Sequence, residues 1–199
     1  MTLINWLLAA TGFTGAFTFL FVWRRLRRLL AGAPPSVEVF FSPKGGCTEA
    51  VVREISAARH EVLVQAYSFS SKPITEALVA AKTRGVQVTI LLDKSNEAEA
   101  YSDLPQFLEH GLAPLIDAHH AIAHNKVMVI DHKTVVTGSF NFTHQAEAEN
   151  AENLLVIKGQ PALAKVYRDH FGEHKGHCQP PQTKAAPAMH VAHHTKAAA

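Results

Sequence analysis

His124, Lys126, Ser139 and Asn141 place an imidazole, an ammonium, a hydroxyl and an amide within one short stretch of chain. Asp131 and Gly138 lie between them, and Glu152 follows a little further on. The set suits attack on a phosphodiester without a metal. A neutral imidazole is a competent nucleophile toward phosphorus. Lys126 supplies a compact point charge for phosphate oxygens. Ser139 and Asn141 supply neutral donors to the same oxygens, whose charge the transition state spreads and fixed donors stabilise. A carboxylate at Glu152 can accept a hydrogen bond from the second ring nitrogen, which fixes the tautomer of the imidazole and orients its attack.

For these groups to meet, the chain between them must fold back on itself. Val127 to Ile130 is apolar and rich in β-branched residues, and Val135 to Thr137 is a second such run. The intervening Asp131-His132-Lys133-Thr134 reads as a tight turn of a β-hairpin. With His132 and Lys133 as the two loop residues, Lys126 faces Ser139 and His124 faces Asn141. All four side chains then leave the same face of the sheet. A slip of one residue would scatter them, so the register is a testable part of the reading.

The flanking segments supply the scaffold. Val37 to Phe41, Val62 to Tyr67 and Val86 to Leu92 read as strands. Thr48 to Arg59 has helical spacing with Thr48 as its N-cap, and Lys72 to Arg84 reads as a helix ended at Gly85. Strand, helix, strand at this spacing predicts a βαβ unit within an α/β fold. Asn96 to Gly111 holds one or two helices, Leu112 to Ile116 a weak strand, and Ala162 to Phe171 a closing helix.

His124-x-Lys126-x4-Asp131 followed by Gly138-Ser139-x-Asn141 resembles the HKD motif of the phospholipase D superfamily. Tyr67-Ser68-Phe69, Ile74, Ala77-Leu78, Arg84-Gly85-Val86 and Leu91-Leu92-Asp93 resemble the segment that precedes the motif there. The similarity spans residues 37–171, and the motif marks the superfamily more sharply than the substrate. The chain carries one such motif, like the short branch of Nuc-type endonucleases and mitochondrial phospholipase D-like proteins. The resemblance implies a mixed β-sheet flanked by helices and a homodimer in which two chains share one active site. It also implies that His124 of one protomer forms a phosphohistidine while His124 of the other protonates the leaving oxygen. Lys126, Ser139 and Asn141 would bind phosphate oxygens and Glu152 would support the imidazole, with Asp131 and Gly138 structural and no metal or cofactor needed.

Residues 3–23 are almost wholly apolar and uncharged, long enough as a helix to cross a bilayer core. Trp6 and Trp23 stand near the two ends, and Arg24, Arg25, Arg27 and Arg28 follow at once. The expected organisation is a transmembrane anchor over 1–30, a linker over 31–36, a catalytic domain over 37–171 and a disordered, His-rich tail over 172–199. The arginines favour a cytoplasmic catalytic domain, with export as the alternative.

All 17 acidic residues but only 15 of the 19 basic ones follow residue 35, so the domain and tail carry 15 − 17 = −2 with histidines neutral. That lacks the basic footprint of a nucleic-acid binder and leans toward a phospholipid headgroup, whereas the short single-motif pattern leans toward nucleic acid. A non-catalytic membrane scaffold is the third reading, disfavoured because no motif residue is missing. A metal-dependent nuclease would need a carboxylate cluster that the motif lacks. Cys47 and Cys178 are too far apart in sequence for a redox or metal pair and read as unpaired thiols. His174, His177, Cys178, His190, His193 and His194 of the tail could catch a metal, but they read as part of a solvated tail with incidental metal affinity. His119 and His120 fit either the mouth of a site or a plain loop.

Overall fold

The computed structural model describes residues 34–182, together with positions 19, 21–23 and 25. Apart from those few positions, the expected anchor over 1–30 lies outside the described residues, as does the expected tail from 183 onward. Among the described residues no helix is long and apolar enough to cross a membrane.

A seven-stranded mixed sheet forms the middle layer. Its strands are β1 (Ser36–Ser42), β2 (Glu61–Ala66), β4 (Gln87–Asp93), β5 (Leu115–Asp117), β6 (Lys126–Ile130), β7 (Thr134–Gly138) and β9 (Glu152–Lys158), in the order β1-β9-β7-β6-β2-β4-β5. A two-stranded parallel ladder joins β3 (Phe69–Ser70) to β8 (Phe142–Thr143). β2 and β4 are parallel neighbours joined through α2 (Lys72–Thr83), which realises the expected βαβ unit. β2 is buried almost throughout, which is why its sequence is a continuous apolar run rather than an alternation.

Each sheet face has its own core. On one side α1 (Cys47–Ala57) and α2 cover it. The buried residues Cys47, Ala50, Val51, Glu54 and Ile55 of α1 fall at helical spacing, as do Ile74, Ala77, Leu78 and Ala81 of α2. Phe69, Phe107, Phe140 and Phe142 complete this core, all fully buried. On the other side α5 (Pro161–Lys175) packs Ala164 and Phe171 against Leu63, Leu91, Val129 and Val135. The short helices α3 (Leu104–Glu109) and α4 (His144–Ala148) bridge the loops.

Three expectations need correction. Gly46, not Thr48, is the N-cap of α1, and the cap is supplied from a distance: the Glu147 carboxylate accepts the N–H groups of Gly46 and Thr48. The boundary at 171 is also too early, because α5 runs to Lys175 and the chain beyond it stays packed. Ile116 and Gln179 exchange backbone hydrogen bonds of 2.7 and 3.0 Å, and His174 is buried.

The third correction is the hairpin register. Val127 pairs with Thr137, Met128 with Val136 and Ile130 with Thr134, one residue away from expectation. The turn sits earlier in the chain: Lys133 donates to the Ile130 carbonyl, and Asp131 and His132 occupy the central positions with φ of 49° and 58°. Both central residues of a mirror-image turn need positive φ, and Asp tolerates that better than most residues. The Asp131 carboxylate anchors the choice. It accepts the backbone N–H groups of Arg59, His60 and Glu61 at 2.8–3.2 Å, tying the turn to the start of β2.

Burial works against ionisation of Asp131, but these three N–H groups outweigh it and hold the carboxyl below its ordinary value. Asp131→Ala should therefore cost about 3 kcal/mol and lower Tm by about 10 °C in thermal unfolding at pH 7. Because the native pKa is depressed, the carboxylate stabilises the fold above the unfolded value of about 4. The difference between wild type and variant should shrink as pH falls from there through the lowered native value.

Candidate active site

The sheet brings the motif together at one edge. β1, β2, β4, β5 and β7 end there, and β6 and β9 begin there. Lys126, the first residue of β6, pairs with Ala66, the last of β2. Its side chain is 7% exposed. The ammonium donates to the His124 carbonyl at 3.1 Å and lies 5.0 Å from the centre of the Tyr67 ring. Among the described residues no carboxylate pairs with it. Burial lowers the Lys126 pKa, and the more distant charge of Glu152 opposes that shift.

His124 stands exposed at the rim, its ring 4.6 Å from that of Tyr67. Tyr67 thus touches both the imidazole and the ammonium. It is the site residue that the motif does not announce. The available signal is positional, since Tyr67 directly follows β2 at the sheet edge and its N–H donates to the Asn125 carbonyl at 2.8 Å. The β3–β8 ladder holds this loop against the one carrying Asn141.

After β7 the chain bulges. The N–H groups of Ser139 and Phe140 both donate to the Asn153 carbonyl, Phe140 turns fully into the core, and Ser139 stays exposed. The Ser139 hydroxyl accepts the Asn153 N–H at 3.1 Å, so it faces β9 rather than Lys126. Gly138 has φ of 152° and lies so close to β9 that a Cβ there would meet the Asn153 carbonyl oxygen at 2.2 Å. Asn141 follows with its side-chain oxygen buried and without a hydrogen-bond partner. Since amide O and N exchange by a flip, that position offers a polar atom awaiting a ligand.

Glu152 opens β9, paired with Ser42, and its carboxylate accepts from the Asn150 amide at 3.2 Å. Among the described residues no hydrogen bond joins it to His124. The site therefore brings His124, Lys126, Asn141 and Glu152 to one edge, with Ser139 turned aside and Asp131 at the opposite end of the hairpin. A cavity of about 1140 Å³ lies at that opposite end, lined by Asp131, His132 and Lys133 among others, and none of His124, Lys126, Asn141 or Glu152 lines it.

Cys47 is buried near these carboxylates. Desolvation pushes its thiol up to about 11, with Glu147, Glu49 and Glu152 adding to the shift. A thiol so protonated at neutral pH is no competing nucleophile. Neither cysteine forms a disulfide.

Residues 51–175 match the family model of the cardiolipin synthase, phospholipase D-like domain. The protein named phospholipase D from Rickettsia typhi is 42% identical over 140 residues, covering 70% of this chain and 68% of that one. The mitochondrial cardiolipin hydrolase of Mus musculus is 29% identical over 161 residues, 67% of this chain and 73% of its own. Among solved structures, the phospholipase D family member Nuc from Salmonella typhimurium superposes with a TM-score of 0.72 at 36% identity. It covers 75% of this chain and all of that one.

An ammonium buried without a carboxylate costs the fold free energy. Lys126→Met should raise stability by about 1 kcal/mol in denaturant unfolding. Since Lys126 is the cation expected to face the developing charge, the same change should cut turnover by about a thousandfold.

Proposed function

This chain belongs to the phospholipase D superfamily and is a phosphodiesterase of that family, and we propose that it works through a phosphohistidine formed on His124. The observation that carries the reading is the pairing of an exposed imidazole with a buried ammonium that has no carboxylate partner among the described residues. A phosphate is the natural counter-ion for such a cation.

A neutral ring nitrogen of His124 attacks phosphorus, the P–N bond forms, and the P–O bond to the leaving alcohol breaks. Lys126 and the Asn141 amide hold the non-bridging oxygens as their charge develops. The leaving oxygen takes its proton from a second imidazole, which then deprotonates the water that attacks the phosphorus and frees His124. This motif supplies one imidazole per chain, so the second comes from another copy, and the active unit is a homodimer sharing one site. An apolar stripe supports such pairing: Val37, Val39 and Phe41 of edge strand β1 are each more than half exposed. The stripe ends beside Ser42, which faces Glu152.

The substrate is a phospholipid whose headgroup is released. The charge of −2 after residue 35 and the tether read from residues 1–30 favour it, as does the likeness to phospholipase D and cardiolipin hydrolase. The tether would hold the domain against the cytoplasmic face of a bilayer. A nucleic-acid substrate is the second reading, favoured by the likeness to Nuc.

Full-length protein without added metal, assayed against anionic phospholipid vesicles and single-stranded DNA in parallel, separates the two. Headgroup release that disappears in His124→Ala is the expected result. Cleavage of DNA alone would establish the second reading, and substantial activity in His124→Ala would overturn the mechanism. Mixing His124→Ala chains into wild type should lower activity per wild-type chain if sites are shared. Strict proportionality to wild-type content would exclude sharing.

A further inference from the structure

Beyond the motif, the same sheet edge carries a second cluster of chemistry-bearing side chains. Asp117 ends β5, next to Asp93 of β4, and its side chain is 2% exposed. Three imidazoles converge on its carboxylate. His174 Nδ1 lies 2.9 Å and His177 Nε2 3.4 Å from Oδ2, and His120 Nδ1 lies 3.0–3.1 Å from both oxygens. Their rings crowd together, with centroids 4.7 Å apart for His120 and His174 and 5.3 Å for His174 and His177. The four ligand-type atoms all fall within 4.8 Å of one another.

We propose that Asp117, His120, His174 and His177 form a structural zinc site that clamps the end of α5 to the loop leading into His124. The proposal is independent of the phosphohistidine reading. Two short-spaced pairs, Asp117-x2-His120 and His174-x2-His177, arrive from segments far apart in sequence, which is how structural zinc sites are assembled. Bond lengths of about 2.0–2.2 Å in a tetrahedron put ligand atoms roughly 3.3 Å apart, so closing the cluster takes only small side-chain shifts. Three nitrogens and one carboxylate oxygen suit zinc, while magnesium and calcium prefer oxygen donors. Four protein ligands fill the coordination sphere, which marks a structural rather than a catalytic ion.

The surroundings are those of a built site. The backbone exchange between Ile116 and Gln179 fixes the two ligand segments side by side. Asp117 Oδ1 also accepts the N–H groups of His119 and His120, which orients the carboxylate as an outer shell does around a metal. Five donors on two oxygens is a heavy load for one carboxylate, and a cation at the centre relieves it by taking the imidazole lone pairs directly. Lys94 donates to the His120 carbonyl, and Asp93 accepts the Ala123 N–H at 2.7 Å. The loop from 118 to 123 is thus pinned at both ends, by the cluster and by Asp93, immediately before His124. The metal acts on catalysis through the position of that loop, without touching the reacting atoms.

The test is elemental analysis of full-length protein made in zinc-supplemented medium and purified without a metal-affinity step. Wild type should hold about one zinc per chain, and His174→Ala/His177→Ala less than about a tenth of that. A His190→Ala/His193→Ala/His194→Ala variant should keep its zinc, since the proposed site takes its four ligands from Asp117, His120, His174 and His177. Zinc absent from wild type, retained in the first variant, or lost in the second would each overturn the proposal. Because the first variant can fail to fold, cobalt is also titrated into chelator-stripped wild type. Intense visible absorption of four-coordinate cobalt supports the site, and the weak spectrum of six-coordinate cobalt contradicts it.

Discussion

Three backbone N–H groups at the start of β2 converge on the carboxylate of Asp131, and the arrangement of the catalytic edge follows from that contact. It holds two consecutive residues at positive φ, a conformation that costs a non-glycine residue free energy and persists where the surroundings fix it. With the turn fixed, the β6–β7 register has no freedom, and Lys126 must emerge at the far end of β6 beside the end of β2. The motif aspartate thus lies at the other end of the hairpin from His124 and Lys126. Its hydrogen bonds set where the lysine lands.

At the catalytic edge the protein accepts costs that a purely structural sheet would avoid. Among the described residues, a lysine is buried without a carboxylate and an asparagine oxygen is buried without a donor, and the histidine between them is left in solvent. Groups left wanting partners in one place are the mark of a surface shaped for a ligand. Tyr67 softens the cost for the ammonium by offering its ring face, and the bulge at Ser139 and Phe140 turns a core anchor inward just before Asn141. The apolar faces behind this edge supply the rigidity. Phe140 and Phe142 sit in the core on either side of Asn141, so the amide is held by residues that cannot move independently.

Much of this was legible in the sequence because it is local. Strands, the βαβ unit and the motif depend on hydrophobic period and short spacing, and β2, α2, β4 and β6 lie within a residue or two of where the pattern puts them. What escaped depends on contacts between distant residues. The turn slipped by one because nothing near Asp131 announces three donors 70 to 72 positions earlier in the chain. Ser139 was expected against Lys126 because a bulge cannot be seen in residue types. The helix cap on α1 comes from Glu147, about a hundred residues away. The tail looked disordered from its histidines, yet His174 and His177 are held by Asp117, 57 and 60 residues earlier. Composition misleads where polar residues find buried partners that the local sequence does not name.

The proposed mechanism requires His124 to become covalently bonded to phosphorus during turnover. The most direct measurement quenches the enzyme in alkali during steady-state turnover and maps the modified peptide by mass spectrometry, since phosphohistidine survives base. The expected result is an adduct on His124, carrying the phosphatidyl group of a phospholipid substrate, that decays as product forms. An adduct on any other residue would contradict it. So would turnover through an inverted phosphorus centre, which signals direct attack by water with no covalent intermediate.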